Sequence, residues 1–178
     1  SINIYFDRQL EKRIISLWQK LYDSEIASYL IDINAKPHIS LAAFQEAYPE
    51  KLTEIITRLP DSLTSFPVKF AAIGAFPTQD RIIFLSATPS EKLITAHNRL
   101  HEMLAEHNIT CRPYYRPGNW IPHCTVAYKV DPEKYKEAFQ QCFDASLPYF
   151  GKAVKIGICS YLQVKELVSF DLKSPISQ

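Results

Sequence analysis

The 178-residue sequence has no excess of either charge, no long apolar run and no closely spaced cysteines. Its 20 basic and 19 acidic residues leave a net charge of +1. That balance argues against a broad, non-specific nucleic-acid surface, while leaving room for a short or single-nucleotide substrate in a local pocket. No apolar stretch is long enough to span a bilayer and no signal peptide is recognisable, so a cytoplasmic protein without a membrane partner is expected. The chain begins at Ser1 rather than methionine, which fits a processed or trimmed start. Cys111, Cys124, Cys142 and Cys159 form no CxxC pair of the kind that holds a metal or a redox disulfide. Three of them, Cys124, Cys142 and Cys159, fall in apolar periodic runs and read as buried free thiols in a reducing compartment. The HExxH zinc signature is missing too. His97 and His101 stand at i and i+4, yet no glutamate completes the pattern and no third ligand is evident, so His97 reads as a packed histidine. No metal or other cofactor is expected.

What the sequence does contain is one short segment twice. Pro37-His38-Ile39-Ser40-Leu41 and Pro122-His123-Cys124-Thr125-Val126 share a proline, a histidine, a hydroxyl residue two places on, and then an aliphatic residue. Each opens an apolar run that reads as a strand. Alternate side chains on a strand share a face, so each histidine stands about 7 Å from its own hydroxyl on the same side. Two such strands facing each other would gather two imidazoles and two hydroxyls around a site of phosphate size. Proline suits the first strand position, where its missing N–H does little harm.

Around these segments the chain reads as α+β. A strand over Ile2–Phe6 is followed by a helix capped by Asp7, with Leu10, Ile14, Leu17, Trp18 and Leu21 on one face. Pro49 opens a second helix that Pro60 closes. Two strands, Phe66–Phe76 and Arg81–Ala87, precede a helix expected to start at Thr88-Pro89 with Glu91 completing a capping box. Residues 109–121 read as a loop rich in Arg, Tyr, Pro and Gly. Asp131-Pro132 starts another helix, and two closing strands are expected over 152–162 and 167–172, with a turn at Lys165-Glu166. Each histidine strand thus follows a long helix and precedes a shorter one, which suggests a diverged internal duplication. The expectation is a single domain over residues 1–178. Its two lobes are related by pseudo-twofold symmetry, with antiparallel-rich sheets facing a central cleft and helices outside.

Two such histidine motifs, together with the order of the elements from Ala72 to Leu104, resemble the 2H phosphoesterase superfamily. The similarity is greatest to its 2′-5′ RNA ligase and RNA 2′,3′-cyclic phosphodiesterase branch, and nearly the whole chain is covered. Ser40 stands where threonine is commoner. The resemblance implies a bilobal fold, metal-independent chemistry and a phosphodiester substrate.

The residues reach the same class by chemistry. Opening a 2′,3′-cyclic phosphate needs a base for water and an acid for the departing ribose oxygen, and imidazole serves both near neutral pH. Symmetry leaves the roles open, with a lean towards His123 as base and His38 as acid. Ser40 and Thr125 are candidates to donate to the non-bridging phosphate oxygens. Tyr115, Trp120 and Arg116, with Tyr114 and Arg112 beside them, are candidates for holding base, ribose or a flanking phosphate. The leading expectation is a monomeric phosphodiesterase acting on RNA ends or small cyclic nucleotides. A 2′-5′ RNA ligase, a 2′-5′ oligonucleotide phosphodiesterase and a non-catalytic RNA-end binding module remain as alternatives.

Overall fold

The computed structural model describes residues 1–46, 49–59, 63–160 and 165–174. Strand β1 (Ile2–Phe6) leads into helix α1 (Arg8–Asp23). The Asp7 carboxylate caps this helix, accepting from the backbone N–H of Gln9 and Leu10 at 3.1 and 2.9 Å. Its other oxygen accepts from the Lys152 N–H, so the cap also fastens the helix start to a distant strand. Leu10, Ile14, Leu17, Trp18 and Leu21 are all buried, as their 3.6-residue spacing requires. A single turn, α2 (Tyr29–Asp32), precedes β2 (His38–Ala42) and α3 (Pro49–Arg58). Pro60, expected to end α3, lies outside the described residues.

Strands β3 (Phe66–Phe76) and β4 (Ile82–Ala87) are followed by α4 (Glu91–Glu106). The cap of α4 is Ser90, whose hydroxyl accepts from the Leu93 N–H at 3.2 Å, and not Thr88 as expected. Thr88 is still held by the sheet, its N–H donating to the Lys69 carbonyl at 2.8 Å, so the chain is free to turn helical only two residues later. Strand β5 (His123–Ala127) and α5 (Tyr135–Phe143) complete the second half. Strand β6 (Tyr149–Ser160) starts earlier than expected. Strand β7 (Lys165–Asp171) takes in Lys165 and Glu166, where the sequence predicts a turn.

Among the described residues the seven strands belong to one antiparallel sheet, ordered β2-β1-β6-β3-β4-β5, with β7 also on β6. The strands expected as two sheets are joined because the 12-residue β6 serves both groups. Its first residues pair with β3, its later ones with β7, and β1 takes the other edge. The two halves repeat one unit. Each histidine strand pairs with a neighbour, β2 with β1 and β5 with β4. Each is preceded by a 16-residue helix, α1 or α4, and followed by a shorter one of 10 or 9 residues. The two strands at the ends of the order, β2 and β5, pack against each other. Two indoles link the histidine strands to other parts of the fold. Trp18 Nε1 donates to the Thr125 carbonyl at 3.2 Å, and Trp120 Nε1 to the Ser40 carbonyl at 3.0 Å.

Cys111, Cys124 and Cys142 are buried free thiols. Cys159, read as buried, is half-exposed near the end of β6. No helix among the described residues is long and apolar enough to cross a membrane.

Candidate active site

His38 and His123 begin β2 and β5 and are held in the same way. Each ring donates its Nδ1–H to the carbonyl two residues back, Lys36 for His38 and Ile121 for His123, both at 2.7 Å. A carbonyl can only accept, so the proton is fixed on Nδ1 and Nε2 is left as the atom that gains or loses one. The prolines between, Pro37 and Pro122, explain why this bond recurs. Proline fixes its own φ and keeps the residue before it extended, which holds that carbonyl beside the ring.

Both histidines are half-buried, and burial pulls both pKa values below the ordinary 6.5. The carbonyl bonds oppose this only in part. His38 is lowered further by the charge that His123 would carry. That repulsion opposes protonation of both rings at once.

Aromatic side chains from the neighbouring strands flank each imidazole. Tyr5 of β1 lies 6.2 Å from His38, ring centre to ring centre. Phe76 and Phe84 lie 4.9 and 5.1 Å from His123 and stack on each other at 4.3 Å. The Phe84 ring reaches this place by crossing β3 at Gly74, where a Cβ would stand 2.4 Å from Phe84 Cζ. With Phe76 stacked on it, Phe84 cannot simply swing away. Gly74→Ala is therefore expected to cost about 1–3 kcal/mol by overpacking. Urea unfolding would measure this, and a two-dimensional NMR spectrum should show the His123 ring protons displaced.

The two hydroxyls differ in setting. Ser40 is 6% exposed, and its hydroxyl donates to Asn3 Oδ1 at 2.9 Å. Thr125 is half-buried on β5. Asn3 faces Ser40 directly in the β1–β2 register, and Tyr5 faces His38, so all four side chains share one side of the sheet.

The loop before β5 is built into the site more than read from its composition. Trp120 is stacked flat on His97, 3.9 Å away and 1° from parallel, while its N–H holds the Ser40 carbonyl. One face of Trp120 is thus already covered. His97 is buried, and its Nε2–H donates to the Tyr115 carbonyl at 2.8 Å. His101 Nε2–H donates to the Leu41 carbonyl at 3.2 Å. Both helix histidines spend these nitrogens on backbone carbonyls of the site's own strand and loop. Arg116 is exposed, its Nε–H donating to the Cys111 carbonyl at 3.3 Å, and it lines an open groove of about 800 Å3 with His101 and Asn98. Tyr115 is half-buried, whereas Arg112 and Tyr114 face solvent.

Sequence reading passed over Asn3, Tyr5, Phe76 and Phe84. Asn3 carried a signal that could have been used, because it is the one amide in an otherwise apolar five-residue strand.

The fold is found in solved structures. E. coli LigT has a similar fold: its apo crystal structure matches with a TM-score of 0.63 and 15% identity, covering 97% of this chain and 96% of that one. Crystal structures of LigT complexed with 3′-AMP and with NADP+ match at 0.59 and 0.61, with 16% and 15% identity and 95% or more of each chain covered. A Bacillus licheniformis protein named "Putative phosphoesterase" is 23% identical over 137 residues, which is 75% of this chain and 73% of that protein. The family model described as the 2′-5′ RNA ligase superfamily matches residues 6–163 and takes in both histidine strands. With that span, the chain belongs to the 2′-5′ RNA ligase superfamily, one of the 2H phosphoesterases.

Proposed function

We propose that the protein hydrolyses nucleoside or oligonucleotide 2′,3′-cyclic phosphates without a metal, using His38 and His123 as an acid–base pair. The observation that carries this reading is the identical Nδ1–H bond in both histidines, which readies both Nε2 atoms for proton transfer. In the reaction, a neutral imidazole takes a proton from water as its oxygen bonds to phosphorus. The other ring, protonated, gives its proton to the ribose oxygen as that P–O bond breaks. The product is a monoester, and the two histidines exchange protonation states, to be reset by solvent. Ser40 and Thr125 donate to the non-bridging oxygens as negative charge concentrates there. Arg116, Tyr115 and Trp120 hold the base, the ribose or a flanking phosphate of the substrate, with Arg116 reaching it from the groove it lines. The nucleotide complexes of LigT support a substrate of this size.

The family match favours a second reading. The same pair can pass the phosphate to the ribose 5′-hydroxyl of a second RNA end instead of water; the P–O3′ bond breaks while phosphorus stays on the 2′-oxygen, which is ligation to a 2′-5′ linkage.

One assay distinguishes these outcomes. The four nucleoside 2′,3′-cyclic phosphates, a cyclic-phosphate RNA end and 2′-5′ oligoadenylate are offered with EDTA present. Turnover of the cyclic phosphates is expected. Tight binding without turnover would make the protein a binding module, and loss of activity on chelation would remove the metal-free mechanism.

The pH profile carries a signed expectation. The base must be unprotonated and the acid protonated, so kcat/KM is bell-shaped. Both pKa values are lowered in the free protein. A lowered base extends activity to lower pH, and a lowered acid ends it sooner as pH rises, so both limbs move to the acid side. The kcat/KM optimum should fall below about 6.5. The bound cyclic phosphate, a monoanion, stabilises the imidazolium, so the kcat bell should sit at higher pH than the kcat/KM bell. A kcat/KM optimum above 7 would contradict the assignment.

A further inference from the structure

The Ser40 hydroxyl has the wrong polarity for the role just proposed. Its proton is given to Asn3 Oδ1 at 2.9 Å, so in this state the hydroxyl does not donate to an anion. Asn3 is 1% exposed, and its Nδ2–H points to the Tyr5 hydroxyl at 3.5 Å, the outer limit of a hydrogen bond. The two ends of an amide have nearly the same shape but opposite hydrogen-bonding roles. A half-turn of the Asn3 amide would exchange them. Nδ2–H would then donate to Ser40 Oγ, and the Tyr5 O–H to Asn3 Oδ1. The Ser40 proton would be released towards the face it shares with His38.

We propose that Asn3 is a positioning residue that sets the polarity of Ser40: the buried Tyr5–Asn3–Ser40 row turns over when a phosphate binds, so that Ser40 becomes a donor to the phosphate. This rests on the phosphodiesterase reading for its kinetic part and stands apart from it in the binding part. The row exists only in the first half of the molecule. In the second, the residue paired with Thr125 is Phe84, which has no hydrogen-bonding group to offer that hydroxyl. The two hydroxyls of the pair therefore differ, Ser40 being set by an amide opposite it and Thr125 not having one at the equivalent register position. No covalent step is involved, only the rotation of one amide and two hydroxyls.

The test compares Asn3→Asp with Asn3→Leu, both close to asparagine in shape. Aspartate can only accept, so it locks Ser40 in the wrong polarity. Leucine neither accepts nor donates and leaves the Ser40 proton available. The expected result is that Asn3→Asp lowers kcat/KM on a cyclic phosphate as much as Ser40→Ala does. Each drop should lie at or below the lower end of the roughly 10²–10³-fold range for one lost oxyanion donor. Asn3→Leu should retain more activity than Asn3→Asp even if its thermal midpoint is lower. In a Ser40→Ala background, Asn3→Asp should then change little, whereas simple repulsion of phosphate by the new carboxylate would persist. Equal losses in the two Asn3 variants, or losses that multiply with Ser40→Ala, would overturn the proposal. The second measurement needs no turnover. Inorganic phosphate titrated into the ¹⁵N-labelled protein should move the Asn3 side-chain NH2 resonances, and Ser40→Ala should abolish that shift. If the protein turns over no cyclic phosphate, the phosphodiesterase reading fails and this titration still decides the role of Asn3. Unmoved Asn3 resonances at saturating phosphate would refute it.

Discussion

Replacing either His38 or His123 with alanine should lower kcat on a nucleoside 2′,3′-cyclic phosphate by roughly 10²–10⁴-fold, the range for one general acid or base. The double variant should fall far short of the product of the two losses. Once one proton transfer is lost, the mechanism the other assists is no longer the one being followed. Both rings are half-buried at strand starts, so their removal leaves the core intact, and circular dichroism should show a folded protein in each case. Which histidine is the acid can be read from the leaving group. A 4-nitrophenyl phosphodiester expels a phenolate that needs no proton, so the acid variant should recover most of its loss on that substrate and the base variant should not. With His38 as acid, the rescue appears in His38→Ala alone. Rescue of His123→Ala instead would reverse the roles. Wild-type rates in either single variant would end the catalytic account altogether.

Much of the fold could be read from the sequence because it is written in local signals. The five inward residues of α1 repeat at helical spacing, and Asp7 announces its cap. The repeat itself was visible because both histidines are bracketed alike by proline and hydroxyl. What stayed hidden depends on residues far apart in the chain. Nothing near Thr88 indicates that its N–H is bonded to Lys69, so the cap was placed two residues early. The joining of the strands into one sheet depends on β6 outlasting each of its partners, and partner lengths are not a local property. Trp120 reads as a stacking platform by composition. That a helix histidine 23 residues earlier already lies flat against it is a fact of packing alone. Asn3 was passed over for the opposite reason. Its apolar neighbours made the whole strand read as core, and only the register with Ser40 gives the amide a task.

Acid should destabilise the fold by about 3 kcal/mol through His97 alone. Burial holds this ring's pKa at about 4 against an ordinary 6.5, and each pH unit of such a difference is worth about 1.4 kcal/mol. The sign follows from proton uptake. Between these two values the unfolded chain binds a proton at His97 and the native one does not, so stability is full above about 6.5 and declines as pH falls towards 4. His38, His101 and His123 are also lowered and add in the same direction. Against a typical net stability of about 5–15 kcal/mol, the loss is large. Urea unfolding across this range would measure it, and His97→Gln isolates the source. Glutamine can still donate to the Tyr115 carbonyl but has nothing to titrate. It gives up the stack on Trp120, so the variant should be less stable at pH 7. Its curve should be flatter and should meet the wild-type curve as pH approaches 4. Parallel curves would show that His97 is not the responsible group. The damage should also be local before it is global. The ring that charges lies between Trp120, which holds Ser40, and the Tyr115 carbonyl in the loop that feeds β5. Backbone amides of residues 113–120 should therefore lose hydrogen-exchange protection at mildly acidic pH while those of β1 and β6 keep theirs.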